Sequence, residues 1–140
     1  MTTTRHNDHA ALILRLSLGA MFIAHGLLKI LVFTLPDTAV LRVGGVRRVA
    51  RLSVTFAEIS GGALLIAGIA TRWAAIALLP VWLGALLVHW NNGWLFTNSK
   101  GGWEYPAFLA VASIAQAFLA SGAMAVKWPR RTELASATSG

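Results

Sequence analysis

LSVTFAEISGGALLIAGIATRWAAIALLPVWLGALLVHW, residues 52–90, is two apolar runs joined at Thr71-Arg72. Neither run shows the strict alternation of a membrane barrel strand. Each is close to the about 20 apolar residues that carry a helix across a bilayer. Hydrocarbon offers backbone groups no hydrogen-bond partner, so segments of this kind must be helical. So short a link forces the two helices into an antiparallel hairpin. Two further runs flank the hairpin, at 12–35 and 105–125. The spacing therefore predicts an all-α fold, an antiparallel four-helix transmembrane bundle with spans at about 12–35, 52–70, 73–90 and 105–125. One membrane domain covers 1–128, and the small polar residues of 129–140 read as a disordered tail.

Composition agrees. Of 140 residues, 56% are hydrophobic and 12% charged, and the mean hydropathy is +0.66. Soluble domains carry about 25% charged residues, so a fully water-exposed surface is excluded. Cysteine is absent, which excludes disulfides, thiolate metal sites, iron–sulfur clusters and thiol redox chemistry. The net charge of +7 comes from basic residues lying between apolar runs rather than in one compact patch. That distribution argues against nucleic acid and for anchors at helix ends.

The remaining segments read as helix ends and connectors. Arg5 followed by the apolar 16–24 has the order of a secretory leader, but the run is long, contains Arg15 and lacks a small-residue cleavage site. It is read as the first span. Pro36-Asp37 opens the first connector, where Val40, Val43, Val46 and Val49 recur every three residues among Arg42, Arg47, Arg48 and Arg51. That pattern suggests a short amphipathic interfacial segment, although Gly44-Gly45 is equally compatible with an irregular basic loop. The connector 91–104 carries turn signals at Asn92-Gly93 and Gly101-Gly102. Trp90, Trp94, Trp103 and Tyr105 form an aromatic belt there, with Trp103, Tyr105 and the distant Arg72 as interface anchors. Pro106 suits a first helical turn, Glu104 complements the positive end of the same helix, and Pro80 is expected to kink the third. Small residues every four positions, Ser53, Ala57, Gly61 and Ser113, Ala117, Ser121, Ala125, are packing seams. Lysine and arginine divide almost evenly between the two sides, so charge does not set the orientation.

Ionisable residues inside a span are costly and turn towards partners in the bundle. His25, Lys29 and Glu58 qualify, with His89 at the end of the third span. Lys29 and Glu58 each lie six residues from the same interface, which is about 9 Å at the helical rise. Neighbouring antiparallel helices bring them level as an ion pair. His25 lies one turn deeper than Lys29 on the same face. His89 and Glu104 flank the aromatic connector on that side. These five residues form the candidate polar site, and no catalytic role is assigned. Arg15, Arg72 and Lys127 are expected to snorkel to the opposite headgroups. Two histidines in a helix bundle invite haem, but the depths of His25 and His89 differ too much for a common iron. No metal motif, serine triad, phosphate loop or dinucleotide fingerprint is present.

Five segments together resemble the DoxX family. They are His25-Gly26-Leu27-Leu28-Lys29, Glu58-Ile59-Ser60-Gly61-Gly62, Gly68-Ile69-Ala70-Thr71-Arg72, His89-Trp90-Asn91-Asn92-Gly93-Trp94 and Gly101-Gly102-Trp103-Glu104-Tyr105-Pro106. Leu28 stands where many members have glutamine. The basic 40–51 stretch replaces an aromatic-rich segment ending Gly-Leu-Pro. The resemblance implies a four-helix protein of the bacterial inner membrane with cytoplasmic termini. It also implies membership of an oxidoreductase system, because the family is named after a subunit of a quinone-linked thiosulfate oxidoreductase. A quinone-like or other small apolar molecule is then the expected ligand. Expected partners are the lipid bilayer, a redox partner protein and a second copy of the chain. The alternative is a non-catalytic subunit or scaffold that docks a partner protein on its basic connector.

Overall fold

In the computed structural model the described residues are 2–34, 45–119 and 121–126. Four helices account for most of them: α1 (Thr2–Leu28), α2 (Gly45–Ala67), α3 (Thr71–His89) and α4 (Glu104–Leu119). No strand occurs among the described residues. The expected tail 129–140, Lys127 and the connector residues 35–44 lie outside them. Helix α1 packs on α2 and α4, and α3 packs on α4 and α2.

The all-α bundle is as expected, but several element ends differ. The first span does not continue to residue 35 as an α-helix. From Lys29 to Thr34 it winds as a π-helix, with hydrogen bonds one residue longer than α. Ile30, Val32, Phe33 and Thr34 are poor helix formers. Residues 45–51 of the expected interfacial segment run unbroken into α2. The hairpin turns at Gly68–Ala70, before Thr71-Arg72. Gly68 (φ 73°) and Ala70 (φ 47°) take left-handed backbone there, and Thr71 is buried in the first turn of α3. Helix α3 runs continuously through Pro80.

The fourth helix ends at Leu119 rather than near 125. Gly122 (φ 66°) and Met124 (φ 56°) turn the chain instead. The Ala123 N–H then donates to the Asp8 carbonyl (3.0 Å), and Val126 N–H to that of Ala67 (3.2 Å). The seam expected on α4 is therefore cut after Ala117.

Arg15 corrects a second expectation. It does not snorkel to headgroups; it is 1% exposed. Its Nη1 donates to the Ser121 carbonyl (3.0 Å) and its Nη2 to that of Ala123 (3.3 Å). The chain just past α4 closes over this guanidinium, and Gly68 beside the end of α2 packs against it. The negative ends of two helices thus meet one buried cation.

The core is Leu18, Phe22, Leu65, Ala74, Ala75, Leu78, Trp82, Leu109, Ala110 and Ala112. Around it the usual distribution is inverted. Arg15, Thr55, Glu58, Thr71, Ser113 and Gln116 are buried, while Phe56, Trp73, Leu87, Val88, Phe108 and Phe118 face outwards. An apolar exterior around polar side chains is the arrangement a lipid solvent selects. By length and composition, Arg5–Leu31 and Thr71–Asn92 are each able to cross a membrane. Helices α1 and α2 approach each other closely at Gly19 and Gly62, where a Cβ on either would lie 2.8 Å from the other's carbonyl oxygen.

Candidate functional site

The ion pair is built by glycines. A Cβ on Gly26 of α1 would lie 2.7 Å from the Ile59 side chain and 3.5 Å from the Glu58 Cβ. Gly61 is equally tight against Leu78 of α3. The bare positions let α2 press against α1 and α3 and bring Glu58 under Lys29. The Lys29 ammonium donates to Glu58 Oε1 at 2.6 Å, so the pairing expected from helical rise is present. The two partners differ in burial: the Lys29 side chain is 39% exposed, Glu58 only 1%. The other carboxylate oxygen, Oε2, is buried without a hydrogen-bond partner.

One turn deeper, the His25 Nδ1–H donates to the Met21 carbonyl (2.9 Å). A carbonyl only accepts, so Nδ1 carries a proton, and in the neutral form of the ring the lone pair is then at Nε2. The imidazole meets the Trp82 ring edge-on at 5.5 Å and lies nearly parallel to Tyr105 at 6.2 Å. The Tyr105 hydroxyl donates to Met21 Sδ (3.5 Å). The Trp82 indole is 3% exposed, and its Nε1 is a second buried polar atom with no partner.

His89 enters from the end of α3, where the connector is stitched to it. Its Nδ1 lies 3.1 Å from the Lys100 carbonyl, to which Asn92 Nδ2 also donates (3.0 Å). Asn98 Nδ2 donates to the Asn92 carbonyl (2.7 Å). Gly102 permits this path, because a Cβ there would overlap the Leu95 carbonyl. Trp103 stacks on Trp90 at 5.1 Å and meets Trp94 edge-on at 4.4 Å.

His25, Lys29, Glu58 and His89 together line a cavity of about 980 Å³, whose other walls are mostly apolar. Four of the five candidate residues are thus brought together. Glu104 is not: its Oε1 accepts from the Phe96 N–H (2.9 Å), which folds the connector, and it borders a neighbouring hollow instead. Tyr105, read as an interface anchor, is a wall of the cavity. Arg72 is exposed in the first turn of α3. Pro80, Trp82 and Gly84 are cavity residues that the sequence reading missed. A Cβ on Gly84 would meet nothing within 4 Å. Their signal was available: a tryptophan, a proline and a glycine crowd the middle of one apolar helix. Among the described residues no cluster of histidine and carboxylate suits a metal ion.

An inverted helical bundle with a polar-ended cavity against its apolar exterior defines a membrane protein. The chain belongs to the DoxX family, whose family model, described as DoxX, matches residues 10–90. The matched stretch holds most of α1, all of α2 and α3, and His25, Lys29, Glu58 and His89 of the cavity. No curated protein and no solved structure matches the chain significantly.

Proposed function

We propose that this protein crosses the bacterial inner membrane four times, with its termini in the cytoplasm. There it serves as a component of a membrane oxidoreductase system and takes a quinone-like molecule into the cavity. The observation that carries the reading is the cavity itself. Its volume of about 980 Å³ is at the upper end of ligand pockets, which run to about 1,000 Å³ and combine apolar walls with a few converging polar groups. Here those groups are the Lys29–Glu58 pair, His25 and His89, with the buried Trp82 N–H in the wall. A flat ring with polar oxygens suits such a lining: apolar walls hold the ring and polar groups orient the oxygens.

The residues divide the work. Lys29 donates to a ligand oxygen, and Glu58 fixes the ammonium and keeps its charge compensated. His25 cannot donate through Nδ1, which the Met21 carbonyl occupies, so it contributes an acceptor. His89 lies between the cavity and the connector and is placed to pass protons. Glu104, turned to the Phe96 amide, holds the connector shut. The chain binds and positions the ligand, and a redox partner protein exchanges the electrons.

The test is binding of duroquinone to the purified full-length protein in lipid nanodiscs. The wild type is expected to bind, with Lys29→Ala at least tenfold weaker. Absence of wild-type binding would overturn the reading in favour of a scaffold, and equal binding by both would remove the role given to Lys29.

A further inference from the structure

We infer that the cavity binds the hydroxyl-bearing, reduced form of its ring ligand more tightly than the carbonyl-bearing, oxidised form. The inference rests on the function proposed above and names the member of the couple that the site favours. It comes from comparing the unpartnered polar atoms of the residues that line the cavity.

Glu58 is the decisive group. Its carboxylate is 1% exposed and paired to Lys29 through Oε1 alone. Oε2 is buried with no partner. An ionised carboxylate oxygen only accepts hydrogen bonds. A quinone carbonyl also only accepts, so against Oε2 it sets lone pair against lone pair next to a negative charge. A hydroquinone hydroxyl donates there instead. The resulting bond is charge-assisted, shorter and about twice as strong as a neutral one.

His25 adds a second acceptor. Its Nδ1–H is committed to the Met21 carbonyl, and Nε2 is the remaining nitrogen of a ring that lines the cavity. The donors do not discriminate. Trp82 lines the cavity and its Nε1–H has no partner; such a donor bonds a carbonyl oxygen or a hydroxyl oxygen alike, and so does the Lys29 ammonium. Discrimination therefore comes from the acceptors, and both acceptors favour the reduced ligand.

The consequence follows by linkage. A site that binds the reduced form tenfold more tightly raises the midpoint potential of the bound two-electron couple by about 30 mV. A quinone held here is easier to reduce than the same quinone free in the bilayer.

The experiment is anaerobic equilibrium dialysis of the full-length protein in nanodiscs. Its probes are duroquinone, duroquinol and the dimethyl ether of duroquinol, which keeps the ring and loses both hydroxyl hydrogens. The wild type is expected to bind duroquinol at least tenfold more tightly than duroquinone, and the ether no better than duroquinone. Trp82→Phe is expected to weaken both quinone and quinol while keeping the preference. Glu58→Gln is expected to abolish it. Should Glu58→Gln fail to fold, the wild-type ratio still decides. Equal affinities, or tighter duroquinone, overturn the inference and leave the proposed function standing. An ether that binds as well as the quinol overturns it too, since shape would then explain the preference. Binding of none of the three removes the proposed function along with the inference.

Discussion

Removing either half of the Lys29–Glu58 pair should not cost the same. Lys29→Met leaves a carboxylate 1% exposed with no cation, whereas Glu58→Gln leaves an ammonium whose side chain is 39% exposed. Breaking a buried pair from one side costs about 3–5 kcal/mol when the survivor is trapped. The carboxylate is trapped but can relieve itself by taking up a proton, so the lower end applies, about 3 kcal/mol. The ammonium sits on a flexible stem near the interface and can move towards water. The glutamine amide also still offers Lys29 an oxygen. A loss of about 1 kcal/mol, that of one ordinary hydrogen bond, is then expected. The double substitution should cost less than the sum of the two, because neither survivor remains charged and buried, with a coupling of about 1–3 kcal/mol. Equilibrium unfolding in mixed micelles, with far-ultraviolet circular dichroism to confirm equal helix content, measures all three. A Glu58→Gln cost equal to or above that of Lys29→Met would refute the asymmetry, and additive costs would refute the pairing.

Three further outcomes follow from the packing. Gly84→Phe places a ring in open space at the cavity wall; it should keep the unfolding midpoint and abolish duroquinone binding, and retained affinity would show that the ligand lies elsewhere. Arg15→Lys replaces a guanidinium fork that reaches two carbonyls with a point donor; hydrogen exchange across 121–126 should rise at least tenfold while 104–119 stays protected. Gly68→Ala puts a side chain at φ 73° and onto the Arg15 guanidinium; the left-handed backbone alone costs about 1–3 kcal/mol, so a clearly lowered thermal midpoint is expected.

Glu104 and Arg15 show where reading residues along the chain stops. Position along the chain puts Glu104 at a helix start beside the connector and Arg15 on the side of the opposite headgroups, and position does not identify neighbours. Glu104 is at the expected end of α4, but the connector folds back so that its carboxylate meets the Phe96 amide. Arg15 lies where an arginine could reach headgroups. What buries it is a turn more than a hundred residues away, which formed because α4 stopped at Leu119. The glycines behaved similarly. Gly61 was legible as a packing residue from its spacing, yet the contact between Gly19 and Gly62 depends on how two helices cross.

The sequence by itself determined the solvent, the helices and the depth of the charges. Apolar runs of bilayer length have one way to satisfy their backbone groups, and counting residues from the run ends puts Lys29 level with Glu58 even though residues 29–34 wind as a π-helix rather than an α-helix. The pairing of Lys29 with Glu58 is therefore written in the sequence itself. Only the tertiary structure decided that His25, His89, Trp82 and Gly84 share one cavity with that pair. It alone showed that one carboxylate oxygen of Glu58 and the indole N–H of Trp82 are buried without partners. Those facts depend on rotation and crossing of helices, set by side chains meeting across interfaces, and no local pattern along the chain encodes them.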